Sequence, residues 1–328
     1  MVDIIIPAYN CSKTLPRLLA SIGAQTKPEK CIVTIVDDCS TEDLKPIIKD
    51  FKKYFNIKLQ YIRLEENLKW PGLVRQAGLD RTNAPYVMFL DSDDFLSPRA
   101  VELANREMRS TNADVIIGHF YGEDSHNQWF LYNEDCTTWL HGNIYKREFL
   151  KEKDIFFESL YNEDGSFNTE CYLLADIISY LPEPIYFWTR NLQSITKSEF
   201  FKTNNYSYFI QSLQRSYSKL FKKTQKEQMF LNIGEHISIM YRFYNLSLKK
   251  DKENALSIAK ALCDFSKFLQ NNIFSRIKKD FIKRGFCRGF YTRLGGQEGD
   301  NISVLDFWEK FGFKEALGEL ILNESSNN

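Results

Sequence analysis

Three aspartates fall within four residues in FLDSDDFLSP, residues 89–98, where the buried-looking run YVMFL ends. Adjacent carboxylates repel, so Asp91, Asp93 and Asp94 cost stability unless a cation or hydrogen-bond donors hold them. One reading is a solvated loop whose Asp93 or Asp94 caps the next helix. The other is a cation site. Asp91 and Asp93, with Ser92 between them, can reach a ribose and a divalent ion. Hard oxygen ligands suit magnesium or manganese, and diphosphate oxygens can fill the remaining positions.

Other polar clusters close other apolar runs. MVDIIIPAYN ends in Pro7, Tyr9 and Asn10. A tyrosine there can stack on a flat ring while nearby backbone groups read its edges, or it can be core. IVDDCSTED ends in Asp37 and Asp38, which can accept hydrogen bonds from a base or ribose or cap the following helix. SLYNEDGSFN places Glu163 and Asp164 at an expected helix start, where the helix dipole by itself favours acids. His141, in WLHGNIYKREFL, is a lone histidine with a structural reading or a diphosphate or acceptor contact. Arg190, Ser194 and Thr196, in TRNLQSITKS, lie on a loop that either covers a ligand or is plain surface.

The elements that must position these residues alternate. DIIIPAY, CIVTIVDD, KLQYIRL and YVMFL read as strands. Between them, Leu15, Leu18, Leu19 and Ile22 fall at helical spacing, as do Leu44, Ile47, Ile48 and Phe51, and GLVRQAGL is helical. A repeated βαβ pattern predicts a mainly parallel, Rossmann-like α/β sheet with helices on both faces. Ligands bind such sheets at the carboxyl ends of strands, where each polar cluster sits. Further on, DVIIGHFYG predicts one strand and SYLPEPIYFWTRN an edge strand bounded by prolines. Beyond about residue 200 the pattern is helical only, which divides the chain into domains at 1–200 and 201–328.

Composition sets the outer bounds. Lys+Arg and Asp+Glu balance at 43 each among 328 residues, so no global field marks a nucleic-acid binder. The seven cysteines are dispersed, without zinc spacing, as expected of reduced thiols. The start shows no basic leader and no stretch reaches the ~20 apolar residues of a membrane span, so a cytoplasmic protein is expected.

PAYN, VDD and DSDD, each closing a strand of one βα sheet, together resemble the family 2 glycosyltransferases of the GT-A fold over roughly residues 1–200. The resemblance implies that Tyr9 and Asp38 hold a nucleobase, Asp91 the ribose or nearby groups, and Asp93 a Mn²⁺ or Mg²⁺ ion bridging the diphosphate of a nucleotide-sugar donor, expected to be UDP-linked. It implies that Arg75, in NLKWPGLVRQAGLD, supports the nucleotide site. Of the pair Glu163–Asp164, it implies Asp164 as the base of an inverting transfer, with Glu163 second. Asn143 departs from the family, which commonly has a lysine there as a phosphate contact. The Pro-Gly pair before the Arg75 helix looks most like virus-encoded, bacteriophage-type members, which would place the protein in a host cytoplasm.

Residues 267–293 hold eight Lys or Arg against one Asp, with aromatics interleaved. Lys278, Lys279, Lys283 and Arg284 suit a phosphate backbone, or else line the solvated face of an amphipathic helix. The expectation leans narrowly to a hydroxymethylated base in double-stranded DNA as acceptor. The alternatives are a growing surface glycan and, from another class, a non-catalytic nucleotide-sugar binding protein. The Glu163–Asp164 pair separates the last, because binding alone needs no base.

Overall fold

The computed structural model describes residues 1–132, 139–158, 163–181, 183–191, 206–248, 252–272 and 280–285. The chain divides into two compact units, Met1–Leu192 and Gln193–Asn328.

In the first unit, strands β1 (Val2–Ala8), β2 (Cys31–Asp37), β3 (Lys58–Arg63) and β4 (Tyr86–Phe89) alternate with helices α1 (Leu15–Gly23), α2 (Lys45–Tyr54) and α3 (Pro71–Asp80). Then come β5 (Phe95–Leu96), α4 (Ala100–Thr111), β6 (Val115–Ile117), β7 (Phe120–Glu123), β8 (Trp129–Tyr132) and β9 (Ile144–Lys146). The unit continues with α5 (Arg147–Glu152), α6 (Glu163–Leu174), β10 (Ile178–Tyr180) and β11 (Tyr186–Trp188). Seven strands form one sheet in the order β10-β6-β9-β4-β1-β2-β3. It is parallel except for β9, which runs antiparallel between β4 and β6. β1, β2 and β4 are covered on both faces, which explains their unbroken apolar runs. The spacing in α1 holds: Leu15, Leu18, Leu19 and Ile22 are all buried.

Pro7 belongs to a central strand, where a missing N–H would normally break the ladder. It is tolerated because β4 pairs with β1 only from Val2 to Ile5, so Pro7 lies past the end of β4. That shorter β4 opens the notch into which residues 90–94 turn.

Two sequence expectations are corrected. DVIIGHFYG is two strands. The chain leaves the large sheet after β6 and enters a second, four-stranded sheet as β7, in the order β5-β11-β7-β8. Gly118 marks the switch, because a Cβ there would stand 2.2 Å from the Gly142 carbonyl oxygen, leaving room only for two bare backbones. The IYFWT segment is no edge strand: β11 lies between β5 and β7. Pro184 precedes the ladder, which starts at Tyr186, and removes no donor from it.

In the second unit, helices α7 (Tyr206–Lys223), α8 (Glu227–Leu248) and α9 (Lys252–Asn272) pack on apolar stripes. Tyr217 meets Phe265, and Phe221 meets Phe230. Residues 280–285 are helical, with Ile282 buried and Gly285 so close to Leu231 that a Cβ would overlap its carbonyl. No helix among the described residues is long and apolar enough to cross a membrane.

Candidate active site

The carboxyl ends of β1, β2 and β4 converge, and most of the predicted polar residues there have definite partners. The Tyr9 ring is 49% exposed at the end of β1. Asn10 takes a left-handed backbone (φ 48°) that asparagine tolerates better than most residues. Its side-chain oxygen accepts from the Thr41 N–H at 2.8 Å, and its own N–H donates to Ser40 Oγ at 3.0 Å. Asn10 therefore stitches two strand ends together.

Asp37 and Asp38 part company. Asp37 points inward with no exposed surface. Its carboxylate accepts from Ser40 N–H at 2.8 Å, Tyr61 hydroxyl at 2.5 Å and Arg63 Nη1 at 2.8 Å. Burial opposes its charge, but these donors hold its pKa below the usual carboxylate range. Asp37 is thus a corner post of β2 and β3, its carboxylate taken up by these three donors. Asp38 accepts the N–H groups of Leu68 (2.7 Å) and Lys69 (3.2 Å), pinning the NLKW loop ahead of α3. Burial raises its pKa.

The DSDD turn distributes its charges among different holders. Asp91 accepts from Arg75 Nη2 at 2.6 Å, and the same buried guanidinium donates through Nη1 to Glu163 Oε1 at 3.1 Å. One cation thus ties the end of β4 to the start of α6. Burial alone would raise Asp91, yet Arg75 and His141 bring it below its ordinary value. Ser92 hydrogen-bonds with the buried Cys11 thiol, whose pKa burial pushes up to about 11. Asp93 accepts from Asn191 Nδ2 at 2.8 Å, and its backbone oxygen from Arg17 Nη2 at 2.5 Å. Burial and the neighbouring Asp91 raise its pKa. Asp94 is buried and accepts from the Tyr186 hydroxyl at 2.5 Å and the Thr189 N–H at 2.7 Å. It therefore locks β11 to the turn and does not cap α4, whose N-cap is Arg99.

Glu163 and Asp164 open α6 as expected. Glu163 lies so close to α3 that a Cβ on Gly72 would stand 2.3 Å from its Cγ, so only glycine fits there. Burial and Asp164 lift the Glu163 carboxyl to about 7 against the pull of Arg75. Asp164 Oδ1 accepts from the Gly165 N–H at 2.8 Å, and burial raises its pKa as well.

His141 reaches the same centre. Burial lowers its pKa to about 4, so the ring is neutral near pH 7, and its Nδ1 is buried without a hydrogen-bond partner. Ligand atoms of Asp91, Asp94 and His141 lie within 4.8 Å of one another. Among the described residues this is the group suited to a metal ion, and Asp93 is not in it. The donor set fits a divalent cation. Carboxylate oxygens and a neutral imidazole surround a place where Asp93 and Asp94 are already disfavoured as anions.

The remaining predicted contacts lie elsewhere. Asn143 is buried and donates to the Trp139 carbonyl at 2.9 Å while accepting from Gly118, so it braces the Gly118–Gly142 switch. Arg190 Nη1 donates to the Ser125 carbonyl at 3.2 Å, on the turn between β7 and β8, and not to the carboxylates. Lys283 is half-buried, and Arg284 lies over its own neighbour Phe281 at 5.2 Å. Ser194, Thr196, Lys278 and Lys279 lie outside the described residues. Sequence reasoning missed Arg17, Tyr186, Thr189 and Asn191. Only tertiary contact, across 76 to 98 residues of chain, gives them partners in the turn.

Comparisons with known proteins place this geometry. Residues 3–162 match the model for "Glycosyl transferase family 2". The "Poly(ribitol-phosphate) beta-N-acetylglucosaminyltransferase TarS" of Staphylococcus aureus is 29% identical over 201 residues, covering 57% of this chain and 35% of that protein. A "Poly(ribitol-phosphate) beta-glucosyltransferase" of Bacillus spizizenii is 26% identical over 203 residues, covering 57% and 32%. The chain therefore spans 35% and 32% of the length of these two curated relatives. The crystal structure of S. aureus TarS 1-349 in complex with UDP-GlcNAc superposes with a TM-score of 0.68 at 21% identity, covering 90% of this chain and 93% of that one. These relatives are bacterial, and the expected kinship with virus-encoded members finds no support in them. With its mostly parallel sheet and its strand-end carboxylates, the chain has a GT-A fold, and its residues 3–162 match the glycosyltransferase family 2 model.

Proposed function

We propose that the protein transfers a sugar from a UDP-linked donor to a hydroxyl group of a glycan or polyol acceptor, with inversion at the anomeric carbon. The carrying observation is the bridge Asp91–Arg75–Glu163, which brings the end of β4 and the start of α6, with Asp164 on it, into one centre. The exposed Tyr9 ring offers a face for the uracil base beside the loop that Asp38 holds. Glu163 is committed to Arg75, which leaves Asp164 to take the proton of the incoming hydroxyl. The acceptor oxygen then bonds the anomeric carbon as its bond to the diphosphate breaks and UDP leaves. A divalent cation held by Asp91 and His141, with Asp94 behind them, would neutralise charge on the departing diphosphate as a Lewis acid. This reading moves the metal role from Asp93 to the group that includes His141.

DNA is no longer the favoured acceptor. Relatives named for poly(ribitol-phosphate) fit the glycan alternative better. Of the basic stretch, the described part seats Ile282 and Gly285 inward and leaves Arg284 on the outer face, as an amphipathic helix does. Incubation with a panel of UDP-sugars, Mn²⁺ and either poly(ribitol-phosphate) or hydroxymethylated DNA tests the whole proposal. Transfer to the polymer is the expected result, and transfer only to DNA overturns it. UDP binding without turnover on any acceptor would favour a binding module.

Two further outcomes follow from the geometry. Removing the imidazole in His141→Ala should weaken Mn²⁺ binding, read by calorimetry on the UDP-free protein. Unchanged Mn²⁺ affinity there, with loss in Asp93→Ala, would return the metal role to Asp93. The pH dependence has a definite sign. Asp164 must be ionised to accept a proton, burial raises its pKa, and the Glu163 carboxyl beside it is lifted to about 7. Activity should therefore rise with pH along an acid limb above the ordinary carboxylate range. A kcat/KM profile flat from pH 5 to 8, at saturating metal, contradicts this.

A further inference from the structure

The small sheet carries an aromatic floor that the transfer chemistry does not use. Cross-strand partners share a face. Tyr186, Phe120 and Tyr132 therefore form one row, and Trp188, Gly122 and Phe130 form the next on the same side. The floor begins at the carboxylates. Tyr186 holds Asp94, and the His141 ring stands 5.0 Å from both Phe120 and Tyr186 and 5.7 Å from Trp188. Trp139 packs against it, 5.3 Å from Tyr132 and 6.1 Å from Trp188. Burial falls away outward: Phe120 and Tyr186 are buried, while Trp188, Tyr132 and Phe130 are 38%, 39% and 50% exposed. Gly122 keeps the surface level. A Cβ there would stand 2.7 Å from the Tyr132 ring and 3.0 Å from the Trp188 ring.

Large apolar side chains left in water beside a reactive centre mark a ligand surface. The geometry points to this floor as the acceptor subsite, taking a saccharide unit of the acceptor by its C–H face; this rests on the glycosyl transfer proposed above. A sugar ring has an apolar face of polarised C–H bonds and a rim of hydroxyls. The negative face of an aromatic ring attracts the former and leaves the latter solvated. Continuity with Asp91 and Asp94 through Tyr186 and His141 directs a sugar lying on Trp188 toward the reacting carbon.

The test uses the full chain saturated with UDP and titrated with trisaccharides of glucose and of N-acetylglucosamine, followed by saturation-transfer NMR. Binding should occur with the C–H protons saturated most strongly. Trp188→Ala and Tyr132→Ala should each weaken it roughly threefold to tenfold. Trp188→Phe should recover most of the loss, and Leu131→Ser, on the opposite face of β8, should leave it unchanged. UDP affinity, measured in the same samples, should not move in any variant. Equal binding by the alanine variants overturns the inference, as does loss in Leu131→Ser alone, or a parent chain that binds UDP but no trisaccharide. Duplex DNA binding that depends on Trp188, in place of sugar binding, also overturns it. Failure of the parent to bind UDP strikes instead at the glycosyltransferase reading beneath it.

Discussion

Asp164→Asn is expected to lower kcat by about 10²- to 10⁴-fold, the usual contribution of a positioned general base. UDP affinity and thermal stability should stay near those of the parent. The substitution keeps the shape of the side chain and its acceptor oxygen for the Gly165 N–H. It removes only the capacity to take a proton. Glu163→Gln should behave differently, because Glu163 is one of two carboxylates that share the Arg75 guanidinium. Its loss should disturb donor binding and stability along with turnover. Stopped assays of UDP release and of transfer, beside UDP calorimetry, separate the two variants. An Asp164→Asn protein that retains most of its kcat removes Asp164 from the mechanism and leaves Glu163 as the base.

The second large effect is on stability. Arg75→Met keeps the length and apolar stem of the side chain but leaves the half-buried Asp91 and Glu163 without their shared counter-charge. Breaking a fully buried pair from one side costs about 3–5 kcal/mol, and solvent screening of the 35% exposed Asp91 brings this to about 2–3 kcal/mol. For a unit of this size that corresponds to a fall in Tm of roughly 4–12 °C. The pH dependence identifies the cause. Arg75 now lowers the Asp91 pKa and restrains the rise of Glu163. Without it both carboxyls have raised pKa values in the folded state. A raised folded pKa gives stability that is present at low pH and lost as pH climbs through it. The deficit of Arg75→Met should therefore shrink as pH falls toward 5, and Asp91→Asn with Glu163→Gln in the same chain should recover part of it. A deficit constant from pH 5 to 8 would show that lost packing, including the contact of the guanidinium with the Phe157 ring at 5.9 Å, is responsible.

The sequence by itself determined the α/β order of the first unit, the helical character of the second, and the strand ends at which polar residues gather. These are local matters. Apolar runs long enough for buried strands, and leucines at helical spacing in α1, declare themselves within about ten residues. The same locality exposed Glu163 and Asp164 as a helix start. Neighbours distant in the chain were decided only by the tertiary structure. Asp37 and Asp38 are adjacent and chemically identical, yet the pleat turns one inward to Tyr61 and Arg63 and leaves the other to hold the NLKW loop. Asp93 and Asp94 are equally alike in sequence, and it is Asp94 that converges with His141, because Tyr186 and Thr189 from β11 and the residue after it draw its carboxylate inward. The split of DVIIGHFYG between two sheets depended on Gly142, 24 residues beyond Gly118, offering a backbone without a side chain. Period and propensity describe how a segment meets solvent and core. Which carboxylate meets which cation is fixed by long-range packing, and there the sequence order carries no signal.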